Sequence, residues 1–106
     1  MHNIYLSSIA HEKLLGLLDY LESEWSLEVK RTFLEKLLTS FSKISAYPRS
    51  CTESKLWPNL FKCVVTVHTS YYYRLKDGEI EIITIIDNRQ NPVEIIKEIE
   101  KQFTGS

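Results

Sequence analysis

Apolar residues recur every three or four positions over two early stretches of the chain and every second position over three later ones. Leu14, Leu17, Leu18, Leu21 and Trp25 form the first helical stripe, with His11, Glu12, Lys13, Asp19, Glu22 and Ser23 mostly on the other side. A short β-prone opening, Ile4 to Leu6, precedes it, and Ser7 and Ser8 offer cap oxygens. Ser26 interrupts the stripe and caps a second helix carrying Val29, Phe33, Leu34, Leu37, Leu38, Phe41 and Ile44. Glu28 in its first turn suits the positive end of the helix dipole. Tyr47-Pro48 ends this helix, because the residue before a proline avoids the α region. A junction this tight makes the two helices antiparallel neighbours, with Trp25 as a core residue closing the hairpin.

The polar stretch Arg49 to Asn59 reads as a surface loop. Beyond it, Phe61, Cys63, Val65 and Val67 alternate with Leu60, Lys62, Val64 and Thr66, which predicts a strand over 60–67. A second strand, Ser70 to Leu75, sets Tyr71 and Tyr73 on one face and Tyr72 and Arg74 on the other. Asp77-Gly78 is a strong hairpin signal. The third strand, Glu79 to Ile86, opens with Glu79 and Glu81 on a solvated face and then turns almost wholly apolar, as a central strand does. Asn91-Pro92 starts a turn, and Val93 to Phe103 predicts a short helix with Val93, Ile96, Ile99 and Phe103 along one stripe. Thr104-Gly105-Ser106 reads as a frayed end.

The predicted class is α+β in the order β-α-α-β-β-β-α. An N-terminal strand and a helical hairpin pack as one layer on a mainly antiparallel, curved sheet, whose other face stays open. The chain has 106 residues, enough for one domain with its own core. A net charge of −1 lacks the basic excess of most nucleic-acid binders, although segregated charge leaves such a function open. No apolar run approaches the roughly 20 residues of a membrane span, and no signal peptide is evident. Cys51 and Cys63 lack metal-ligand spacing and are expected to be reduced thiols in a cytoplasmic protein. Three scattered histidines, His2, His11 and His68, argue against a metal site, and no cofactor is expected.

The opening strand, the helix ending Tyr20-Leu21-Glu22-Ser23-Glu24-Trp25, and the second helix ending before Pro48 carry a resemblance. So do Lys62-Cys63-Val64-Val65, His68-Thr69-Ser70, Tyr73-Arg74-Leu75, Ile80 to Ile86, and Asp87-Asn88-Arg89-Gln90-Asn91-Pro92. In this order and spacing the chain resembles the RelE/ParE superfamily of type II toxin–antitoxin toxins, and more closely its ParE-like, plasmid-stabilisation branch. The resemblance spans about residues 3 to 92, which implies a toxin domain over 1–92 and a C-terminal helix and tail over 93–106 outside it. It implies a cytoplasmic growth-arrest toxin silenced by a cognate antitoxin laid over its surface. RelE-like members cut mRNA on the ribosome; ParE-like members are linked to poisoning of DNA gyrase and lack the nuclease residues.

Metal-free RNA cleavage needs an acid–base pair and cations around the phosphate. Lys62, Arg74 and Arg89 are the candidate cations and His68 the candidate base. Where several nuclease members carry a histidine before the last arginine, this chain has Asp87, which repels a phosphate and holds no proton near neutrality. The expectation is therefore a binding-type toxin, with a metal-independent mRNA interferase as the alternative and a non-toxic interaction module as a third. Candidate target- or antitoxin-binding residues are Lys62, Tyr72, Arg74, Arg89 and Trp57. For Trp57 the alternative is a fold-back onto the core, for Tyr72 plain cross-strand packing, and for Arg89 an internal salt bridge, with Asp87 as one partner.

Overall fold

A computed structural model describes residues 1–55 and 57–104; Gly105 and Ser106, expected to fray, lie outside the described residues. The elements are β1 (Ile4–Leu6), α1 (Ser8–Glu24), α2 (Leu27–Ala46), β2 (Thr52–Glu53), β3 (Leu60–Val64), β4 (Thr69–Lys76), β5 (Glu79–Asp87) and α3 (Pro92–Thr104). The fold is α+β, as expected, with one five-stranded sheet in the order β1-β5-β4-β3-β2. β1 runs parallel to β5, and the other pairings are antiparallel.

The capping chemistry works as the sequence implies. Ser7 Oγ accepts from the Ala10 N–H and also donates to the Ile83 carbonyl at 2.7 Å, so one hydroxyl starts α1 and ties it to β5. Ser26 Oγ accepts from the Val29 N–H and starts α2. Asp77 and Gly78 take φ values of +53° and +77°, the left-handed pair that a two-residue hairpin between right-twisted strands requires. The helical hairpin covers one sheet face. There Phe33, Leu37 and Ile44 meet Phe61, Tyr71, Tyr73, Ile80, Ile82 and Ile85, all buried.

Several details depart from expectation. The stretch Arg49 to Asn59 contains β2, whose Thr52 and Glu53 pair with Lys62 and Phe61. β3 stops at Val64, and Val67 sits 80% exposed in the turn. Trp25 is 67% exposed, because α1 ends at Glu24 and the helical periodicity that would have turned its ring inward ends with it. Glu81 is mostly buried in an ion pair with Arg74 and is no solvated strand residue. Cys51 and Cys63 are bonded as a disulfide, not held as thiols. The β2–β3 register sets them directly across from each other, an alignment that residue spacing alone does not reveal.

The largest departure concerns the second sheet face. A register shift between Tyr72 and Tyr73 puts both Ile83 and Thr84 opposite Tyr72, so this face gains an apolar residue. Leu60, Ile83 and Ile86 there meet Ile95 and Ile99 of α3, with Trp57, Tyr72 and Phe103 around them. The face expected to be open is covered by the chain's own C-terminal helix. The buried stripe of α3 runs through Ile95, Ile99 and Phe103, while Val93 is 56% exposed. Five apolar positions allow two stripes on this helix, and the sheet selects the one with unbroken spacing of four. Lys13 of α1 pairs with Glu98 of α3, and the Thr84 hydroxyl donates to the same carboxylate, which pins α3 against the end of β5.

Candidate functional site

The predicted site residues fall into two groups. Lys62, Tyr72 and Arg74 share the α3-facing side of the sheet, with Lys62 opposite Tyr72 and Leu60 opposite Arg74. Arg74 Nε donates to Glu81 Oε1 at 2.6 Å, and the guanidinium carbon lies 4.8 Å from the centre of the Phe103 ring. The charge is thus neutralised by a cross-strand neighbour and capped by an aromatic face of α3. Tyr72 packs under α3, and burial raises its phenol pKa. Trp57 has folded back, meeting Phe103 edge-on at 5.1 Å between ring centres. Lys62 is half-buried on the same row.

His68 and Arg89 stand together at the far end of the sheet, where the turn after β3 meets the exit of β5. Arg89 donates its backbone N–H at 2.8 Å and Nε at 3.0 Å to Asp87 Oδ1, and Nη2 at 2.7 Å to Oδ2. These side-chain and backbone hydrogen bonds lower the Asp87 pKa to about 2, and in return the carboxylate raises that of Arg89. Asp87 is therefore a fixed anion that holds its neighbour's guanidinium, consistent with its unsuitability as a proton donor. His68 is exposed beside it, and its charge helps to lower the Asp87 pKa.

Asn88, between the two, is a residue that sequence reasoning missed. Its N–H donates to the His68 carbonyl at 2.8 Å, its Nδ2 donates to the Val67 carbonyl at 3.1 Å, and its Oδ1 accepts from Ser70 Oγ at 2.7 Å. With Thr66 Oγ1 accepting from the N–H groups of His68 and Thr69, it clips the whole turn to β5. The only sequence signal was an Asx residue at a strand exit, which is common in any turn.

The two groups do not form one catalytic cluster. Thr69 pairs with Asp87, and Arg74 lies five residues further along β4, a run of roughly 17 Å at strand rise. Arg74 and Arg89 therefore do not converge on a single phosphate. Among the described residues no cluster of His, Cys, Asp and Glu has metal-holding geometry.

A second missed feature is a cleft of about 390 Å³ between the helical hairpin and the β3–β4 turn, lined by Leu17, Leu21, Val29, Phe33, Thr66 and His68. Exposed Trp25 and Leu27 lie at the bend between α1 and α2, close in sequence to its Leu21 and Val29 walls. Among the described residues no helix is long and apolar enough to cross a membrane.

Comparison with known proteins places this geometry. Residues 4–92 match the family described as ParE toxin of type II toxin-antitoxin system, parDE. No curated protein sequence matches significantly. Among solved structures, the chromosomal ParDE system from P. aeruginosa is 15% identical with a TM-score of 0.68, over 82% of this chain and 96% of that one. A mutant of the E. coli toxin RelE in the free state is 15% identical with a TM-score of 0.64, over 95% of this chain and 96% of that one. A copper-bound mutant toxin from Helicobacter pylori is 15% identical with a TM-score of 0.54, over 83% of this chain and 96% of that one. At this identity the structural likeness concerns the fold.

Proposed function

The chain belongs to the ParE toxin family of type II toxin–antitoxin systems, and from that premise we propose that it arrests growth by binding a core macromolecule, DNA gyrase being the target of choice. One observation carries the choice of binding over RNA cleavage. Each arginine that could serve a phosphorane is already held by its own carboxylate, Arg74 by Glu81 and Arg89 by Asp87, at sites roughly 17 Å apart. A nuclease needs its cations unpaired and convergent on one phosphate. Arg89, whose side chain is 70% exposed, is the proposed target-facing residue, while Lys62, Tyr72, Arg74 and Trp57 form a surface over which the antitoxin and α3 compete.

A RelE-like ribosome-dependent endonuclease is the second reading. The free RelE structure aligns with 95% of this chain, more than residues 1–92 can supply, so the likeness extends into α3, beyond the family match. Inducing the protein and assaying gyrase-dependent supercoiling beside mRNA decay separates the two. Loss of supercoiling with intact mRNA supports gyrase, whereas ribosome-dependent mRNA cleavage with normal supercoiling overturns it.

A further inference from the structure

Cys63, bonded to Cys51, lines a cleft that neither Arg74 nor Arg89 lines. This cleft, of about 470 Å³, opens between α2 and β3 and is lined by Glu35, Lys36, Ser40, Lys43 and Cys63 among others. Two ammonium groups against one carboxylate give it a net positive rim. Cys63 is 9% exposed, and that residual exposure faces the cleft. Ser40 Oγ lies 3.4 Å from Cys63 Sγ and 2.7 Å from Tyr71 Oη. Burial pushes the Tyr71 phenol up to about 12. The disulfide sulfur has no proton and can only accept from Ser40 Oγ, which leaves that hydroxyl oxygen to accept from Tyr71 Oη. The same Ser40 hydroxyl is placed to donate to the Cys63 sulfur once the bond opens, as a thiolate there requires.

Across the bond, Cys51 begins a lightly held segment. Its strand β2 is two residues long, and both are exposed. Among the described residues it is also held by the hydrogen bond from Tyr73 Oη to the Pro48 carbonyl, Arg49 over the Phe61 ring, the Ser54 N–H to the Leu60 carbonyl at 2.7 Å, and exposed polar contacts such as Asn59 N–H to Glu53 Oε2. A pair this short is weak without a staple. Further along, Trp57 closes on Phe103 of α3.

We propose that Cys51 and Cys63 form a reversible redox site, opened by an anionic low-molecular-weight thiol such as glutathione entering the Lys36–Lys43 cleft, and that its state sets how firmly the β2 segment is held. The incoming thiolate attacks Cys63 Sγ, forming a mixed disulfide and expelling Cys51 as a thiolate that takes a proton from water. A second thiolate attacks the outer sulfur, releasing the oxidised thiol dimer and expelling Cys63 as a thiolate that takes a proton from water. Two electrons pass from two thiols to one protein disulfide. The inference stands apart from the toxin reading, and its test needs no antitoxin or target.

The full chain is equilibrated in graded mixtures of reduced and oxidised glutathione, its free thiols are alkylated, and amide exchange is followed by mass spectrometry. The expected result is that both thiols become alkylatable together, with Arg49–Lys55 amides exchanging about tenfold faster in the reduced form while the Leu37 and Ile82 regions keep their protection. Cys51→Ser, at the less buried end of the bond, should show the fast rates under all conditions. The double variant Lys36→Glu/Lys43→Glu should be reduced several-fold more slowly by glutathione at low salt, with its rate toward uncharged dithiothreitol unchanged. Thiols that stay alkylatable at every ratio, or equal Arg49–Lys55 exchange in both forms, would overturn the redox site. An unchanged glutathione rate in the double variant would overturn entry through the cleft.

Discussion

Arg74 and Glu81 face each other across β4 and β5, joined by an Nε–Oε1 hydrogen bond of 2.6 Å, with the Phe103 ring of α3 over the guanidinium. An arginine expected from the sequence to be a candidate binding residue is thus part of what holds α3 down. Arg74→Ala should cost about 2 kcal/mol in urea unfolding, the range for a charge-assisted hydrogen bond that leaves its acceptor stranded. Arg74→Lys should recover only part, since an ammonium lacks the planar fork that both pairs and stacks. Equal stability of all three proteins would refute the role of the pair.

Ile99 is fully buried between α3 and the sheet, so Ile99→Ala should destabilise by about 2–4 kcal/mol. Stopping the chain after Asn91 should uncover Leu60, Ile83 and Ile86 and produce strong binding of an apolar dye. A truncated protein as stable and as dye-silent as the full chain would show that α3 does not cover this face.

The lowered pKa of Asp87 predicts how the β5 exit responds to acid. Its carboxyl should titrate near pH 2 by carbon NMR. Because the folded value lies below the unfolded one of about 3.9, any stability from the Asp87–Arg89 fork is fully present above pH 4 and disappears as pH falls toward 2. In Arg89→Ala the midpoint should rise toward the unperturbed value. A midpoint that stays put would mean that Arg89 is not its cause. High salt should shrink the difference little for the hydrogen-bonded part and more for the coulombic part.

Trp25 and Leu37 make a paired test of the hairpin core. Trp25→Ala should change unfolding free energy by no more than about 0.5 kcal/mol, because most of the ring is already in water. Leu37→Ala, at a fully buried position, should cost about 3 kcal/mol. A large loss from Trp25→Ala would contradict the exposed ring.

Tyr71→Phe should cost about 1 kcal/mol through loss of the Ser40 hydrogen bond in the core. It should also raise the solvent accessibility of Cys63 only slightly, since the ring itself remains in place. Denaturation and thiol-reaction rates in reducing buffer check both.

Local chemistry was legible without coordinates. Serine caps, the proline stop at Pro48, the Asp77-Gly78 turn and the strict alternation of Tyr71 to Arg74 each depend on a few neighbouring residues, so periodicity and turn preference suffice to find them. The order of elements followed, and with it the family resemblance. Tertiary structure decided what periodicity cannot carry. It chose which of two apolar stripes on α3 would be buried, and it brought that helix onto a face expected to stay open. It also paired Arg74 with Glu81, set Cys51 across from Cys63, and left Trp25 outside the core. Each of these depends on register and on where a helix stops, properties fixed by summed packing across distant segments and written in no single residue.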